Sequence, residues 1–405
     1  MATISPVSDF APATTRVVAP ASTRDLRLDF YRGIAMFIIL VAHISDNPWA
    51  NWIPARFGFS DATEIFVFCS GMASAIAFGG AFLKKGWVMG SARIVFRIWQ
   101  VYWAHIGLFF FTAMCMAALD LSALFDRSYV DALNLQHFFG DPAPQIVGLF
   151  TLTYVPNYFD VLPMYLVVLA MMPLMMGLQK LGFWAMALAS VLIWAVAQTG
   201  ALALPAEPWS ERQWFFSPFG WQLLFFTGFA FMRGWIPAPP VSKTLIWVAV
   251  LFVVLSAPFG SWKVFLWVEA WNPAVADDIR ATWPLTAEYR DKTDFGLLRY
   301  MHFLSLAYLG WVVAGDKGVR LLPTGDGALA QLWQQVLNVI VKVGQQSLAV
   351  FVFSMAVARL LGVLLDLWGR DPFPVLFVNL IGFILITGVA YGAAWFKSHP
   401  WKSRK

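Results

Sequence analysis

Charge is what this chain of 405 residues has least of. Asp, Glu, Lys and Arg together make up 13% of it, roughly half the share of an average globular protein. So few charges cannot cover the surface of a water-soluble protein of this size, and disorder or a coiled coil fails for the same reason. Cysteine is nearly absent. Cys69 and Cys115 both sit inside apolar runs, which excludes a disulfide framework and a thiolate metal site. The formal excess of +5 is scattered instead of forming a patch, which argues against a nucleic-acid partner. No constellation for a metal stands out.

Apolar residues fill the space that charge leaves. The AVILMFWYC class reaches 60% and mean hydropathy is +0.66. The composition reads as an all-α polytopic membrane protein. Runs long enough to cross about 30 Å of hydrocarbon fall near residues 30–44, 62–83, 94–118, 159–179, 182–204, 218–236, 243–259, 297–314, 346–367 and 374–396. That predicts about ten transmembrane helices. Residues 1–28 read as a flexible cytoplasmic tail, 29–397 as one transmembrane domain and 398–405 as a basic cytoplasmic tail. The first run lacks a small-residue cleavage site and is expected to stay as a signal anchor. With the N-terminus inside, basic residues favour the inner side by roughly two to one. Both termini are then cytoplasmic, in the inner membrane of a bacterium, and the number of spans is even.

The outer loops are the long ones. Asp160 lies in "NYFDVLP" at 157–163, and a second aromatic and acidic stretch covers 267–296. Aromatic rings beside carboxylates suit stacking on sugar faces, and they equally suit an interfacial aromatic belt. Residues 144–156 read as a re-entrant or interfacial piece.

Ionisable groups within spans are costly and therefore default to functional suspects. In "LDFYRGIAMFIILVAHISDN", Arg32 and His43 are separated by about three helical turns, or roughly 16 Å. Asp29 falls within about 40° of the same face, and Asp46 adds a polar group one turn beyond His43. One face of the first helix is thus expected to carry an acid–base ladder. Histidine suits a proton acceptor because much of it is neutral at working pH. A structural pairing of His43 with a neighbouring helix is the plain alternative. Glu64, in "SDATEIFVFCSG", is expected either to orient the histidine or simply to reach interfacial water. Lys84, Lys85, Arg93 and Arg97 form a cluster suited to phosphates or to ordinary cytoplasmic anchoring. Gln222, Arg299 and His302 are the polar groups of later spans, and Arg299 could neutralise an anion or pair with a loop acid.

These stretches resemble the OpgC family, membrane succinyltransferases of osmoregulated periplasmic glucans. More distantly they resemble the integral-membrane acyltransferase family 3. The wider pattern is carried by Arg32 and His43, by Glu64 before "IFVFCSG", and by the helix start from Arg93 through Arg97 to Trp103. Glu64 stands where the wider family usually has Asp, and no proline follows Arg97. The closer resemblance rests on six stretches in order: "RLDFYRGIAMFIILVAH", "SDATEIFVFCSG", "LTYVPNYFDVLPMYLV", "SPFGWQLLFFTG", "LLRYMHFLSLAYLG" and "GQQSLAVFVFS".

The resemblance implies succinyl-CoA as acyl donor and a glucan acceptor outside, with His43 as general base. It makes Arg32 and Asp29 donor-pathway or histidine-positioning groups, and Arg93 and Arg97 contacts for the carrier's phosphates. Asp46, Asp160, Gln222 and His302 are expected near the substrate. Arg299 is the first choice to neutralise the succinyl carboxylate and Arg32 the second. A polysaccharide O-acetyltransferase would use the same first-helix constellation. A proton-coupled transporter or polysaccharide exporter would use it as a relay, but the inverted repeats common in transporters are not seen. The bilayer and acyl-CoA are the expected partners, and a homo-oligomer stays open.

Overall fold

A computed structural model describes residues 25–402. The expected tails fall largely outside that range, with residues 1–24 and 403–405 outside the described residues. Among the described residues the fold is helical and has no strand, apart from one isolated bridge between Pro205 and Gln213. Eleven principal helices build it: α1 (Leu26–His43), α2 (Ala62–Ser74), α3 (Gly80–Leu121), α4 (Val161–Gln179), α5 (Phe183–Ala197), α6 (Pro218–Met232), α7 (Lys243–Gly260), α8 (Leu297–Ala314), α9 (Ala328–Gln345), α10 (Ser347–Trp368) and α11 (Pro372–Lys397). One hydrophobic core runs from Ala35 to Ala390.

Six helical runs among the described residues are long and apolar enough to cross a bilayer. The run Ala62–Leu121 counts once among them, although its 60 residues would span about 90 Å if straight. It bends instead, through a π-helical turn at Ala75–Gly79 and a break at Gly86 (φ 81°). The 15 residues of α5 and of α6 reach only about 22 Å each. α7 buries only Ala249 and Ser256 and presents Trp247, Leu251, Val254 and Leu255 outward. So large an exposed apolar face belongs in lipid, and the chain is a membrane protein.

α9 is the helix that a count of long apolar runs does not announce. Gln331, Gln334, Gln335, Asn338 and Lys342 interrupt its apolar content, while Leu337, Ile340, Val343 and Gly344 are buried on one face. That face packs on α1. Part of the outer stretch expected as loop is also helical, at Trp262–Trp271 and Pro273–Arg290. Residues Pro142–Thr151 form a short helix that stops where Leu152 turns left-handed (φ 60°).

Two close seams fix α1 and α2. A methyl group on Gly344 of α9 would overlap the Asp29 carbonyl oxygen of α1. One on Gly71 of α2 would overlap the Phe225 carbonyl oxygen of α6. Both partners are backbone and cannot move aside as a side chain can. The segment after α1 is pinned to α11 by reciprocal amide bonds between Asn47 and Asn379, at 2.9 and 3.2 Å.

Gly71→Val should therefore separate α2 from α6 and cost about 1–3 kcal/mol or more. The check is the apparent melting temperature of the detergent-solubilised protein. Gly107→Ala, at a position with open space around it, should leave that temperature almost unchanged.

Candidate active site

His43 is the last residue of α1, because Ile44 turns to extended backbone (ψ 119°). Its Nδ1 lies 2.7 Å from the Ile39 carbonyl oxygen. A carbonyl only accepts, so Nδ1 carries the hydrogen and Nε2 keeps its lone pair. The ring meets Tyr158 edge-on at 5.4 Å, and Arg359 covers Tyr158 at 4.0 Å. His43 opens on a cavity of about 350 Å³ whose walls include Asp61, Thr63, Asp160, Lys292 and several phenylalanines.

A second cavity, of about 300 Å³, lies beside the opposite half of α1. Arg32, Arg93 and Arg97 line it together with Ser70, Ser74, Gln100 and Tyr165. Arg32 also donates to the Ser347 hydroxyl at the start of α10. Phe66 forms part of the wall of both cavities. It stacks on Phe351 with ring centroids 5.2 Å apart and 16° between planes. An aromatic septum therefore stands between an arginine-lined space and a histidine-lined one.

The expected ladder along α1 is only partly built this way. Arg32 and His43 face separate cavities. Asp29 is buried and accepts from Gln345 Nε2 at 3.3 Å, lining neither cavity. Asp46 leaves the helix face altogether: the helix has ended and its φ is 54°. Its side chain is 61% exposed and pairs with Arg127 at 3.1 Å and Arg370 at 3.5 Å.

Glu64 also departs from expectation. It is the third residue of α2, so its carboxylate turns back to accept the Asp61 backbone N–H at 2.7 Å in a capping box. Its other oxygen pairs with Arg299 at 2.7 Å, and the acid is 0% exposed. Glu64 and Arg299 thus satisfy each other away from the His43 cavity. His302 bonds to Ser60 at 2.8 Å, and Gln222 to Ser190 at 2.7 Å. Neither lines either cavity. Asp160 does line the His43 cavity. Lys84 and Lys85 are exposed, precede the break at Gly86 and do not line the cavity that Arg93 and Arg97 line.

The acid–base pair that sequence reasoning passed over is Asp61 with Lys292, joined by a direct ion pair. Asp61 caps α2 by accepting the Thr63 N–H at 2.6 Å, and the spacing Asp61-x-x-Glu64 is itself a capping-box signal. Lys292 has no such local signal, since only folding brings the loop before α8 to α2. Burial would raise the Asp61 carboxyl, but the adjacent Lys292 ammonium and the Thr63 amide hold it well below the usual carboxylate range.

A depressed carboxyl stabilises the fold above its unfolded pKa of about 3.9 and loses that contribution as pH falls through the folded value. Asp61→Asn, which keeps a cap acceptor, should therefore flatten the acid-side fall in apparent melting temperature below about pH 4.

Among known families, the one described as OpgC protein matches residues 24–398. No curated protein and no solved structure matches the chain. The match covers every principal helix, both cavities and the septum between them: the chain belongs to the OpgC family.

Proposed function

We propose that this protein transfers a succinyl group from cytosolic succinyl-CoA to hydroxyls of a periplasmic glucan, with His43 as general base. Family membership implies an acyltransferase of glucans. The observation that most supports the finer reading is the pair of cavities meeting at Phe66, one lined by three arginines and the other by a histidine with a free Nε2.

The topology belongs to the same proposal. The ten apolar runs correspond to α1–α8, α10 and α11, and the two-to-one bias of basic residues puts both termini in the cytosol. α9, polar on one face and apolar on the other, then lies along the inner membrane surface. The arginine-lined cavity faces the cytosol and the His43 cavity the periplasm of a bacterial inner membrane.

In this reading Arg93 and Arg97, joined by Arg32, hold the carrier's phosphates. The pantetheine arm passes the Phe66–Phe351 stack and brings the thioester to His43. Nε2 takes the proton of a sugar hydroxyl as its oxygen attacks the thioester carbonyl. The carbon–sulfur bond then breaks, and the imidazolium returns the proton to the departing thiolate, leaving an ester and free CoA. His43 sits at the C-terminal end of α1, where the helix dipole favours a positive charge by about 0.3–1 kcal/mol. Asp61 and Asp160, not Glu64, are the carboxylates sharing its cavity.

His43→Ala should lower succinyl transfer by about 10²–10⁴, read by mass spectrometry of the glucan, while the protein still inserts into the membrane. Retained transfer would remove His43 as base. Arg93→Gln with Arg97→Gln should raise KM for succinyl-CoA by about tenfold or more, as loss of charge-assisted bonds does. Lys84→Gln with Lys85→Gln should leave KM unchanged, and initial rates over a donor titration separate the two cases.

A further inference from the structure

An acyl group that carries its own carboxylate needs a cation where it reacts, because the His43 cavity is walled by Phe66, Phe215, Phe216 and Phe351. The two arginines expected for that task are placed otherwise. Arg299 is held by Glu64 outside the cavity, and Arg32 opens on the other cavity. Lys292 is the one Lys or Arg that lines the His43 cavity among the described residues.

We infer that Lys292 is the specificity-determining residue, receiving the free carboxylate of a dicarboxylic acyl donor beside His43. This rests on the acyl-transfer reading above. The ammonium has three donors, and its ion pair with Asp61 uses one of them. Asp61 Oδ1 meanwhile accepts the Thr63 N–H, so the acid is held in place by α2 as well as by the lysine. The lysine backbone is equally fixed. Its carbonyl accepts the Trp221 indole N–H at 2.9 Å, and the next carbonyl, of Thr293, accepts the Ser217 N–H at 3.0 Å. The rings of Phe215 and Phe216 lie 5.9 and 5.5 Å from the ammonium and limit its contact with water. Asp160, the other acid on the cavity wall, offers a carboxylate no cation and suits sugar hydroxyls instead. A free carboxylate is thereby steered to the ammonium, and an acetyl group gains nothing from it.

The test uses the full-length protein in detergent, with a glucan acceptor and either succinyl-CoA or acetyl-CoA. Lys292→Met is expected to lower the succinyl-to-acetyl ratio of kcat/KM by about ten- to hundredfold, the worth of a charge-assisted hydrogen bond. Lys292→Arg should keep most of the wild-type ratio, and Lys292→Gln replaces the Met variant if that fails to insert. Equal losses with both donors, or an unchanged ratio, would show a merely structural lysine and overturn the inference while leaving acyl transfer standing. A wild type that uses acetyl-CoA as readily as succinyl-CoA would overturn it too. A wild type inert with both donors would sink the underlying reading, and this inference with it.

Discussion

A polar side chain among apolar helices is tolerated only when another segment brings it a partner or when it opens on a cavity. That constraint sorts several polar groups of this protein into two sets. Glu64 with Arg299, Asp29 with Gln345, Gln222 with Ser190 and His302 with Ser60 each find a partner on a separate helix or loop. They tie α1, α2, α6 and α8 into the bundle. The groups that line cavities are another set: Arg32, Arg93 and Arg97 in one, and His43, Asp61, Asp160 and Lys292 in the other. Of these groups, only the second set borders the two cavities.

The division between the two cavities follows from packing. α2 lies close on α6 because Gly71 leaves no side chain between them, and α1 lies close on α9 through Gly344. Phe66 of α2 and Phe351 of α10 then meet face to face. The result is a bundle with polar space at both ends of its first helix and a thin aromatic layer at the middle. The same architecture sets the His43 ring. The carbonyl of Ile39 fixes one ring nitrogen as donor, so the other is left as acceptor toward the cavity without help from a carboxylate.

Much of this was legible without coordinates. The apolar runs correspond closely to ten of the principal helices, and Arg32, His43, Arg93, Arg97 and Asp160, singled out from the sequence, line cavities, but Arg32 and His43 open on two separate ones and not on a single ladder. Asp46 failed because helical spacing was carried past the residue where the helix ends. Glu64 failed because a capping residue at the third position of a helix turns back toward its own N-terminus. α9 was missed because its polar face hides an apolar stripe from any count of consecutive apolar residues.

The chain by itself determined that it lives in lipid, where most of its principal helices run, and which few polar groups sit among them, since hydropathy and periodicity are local properties of sequence. Only the tertiary structure decided which of those groups satisfy one another and which face open space. Lys292 joins Asp61 across a sequence separation of 231, and Arg299 meets Glu64 across one of 235. Pairings over such distances are set by how helices pack, and no local pattern encodes them.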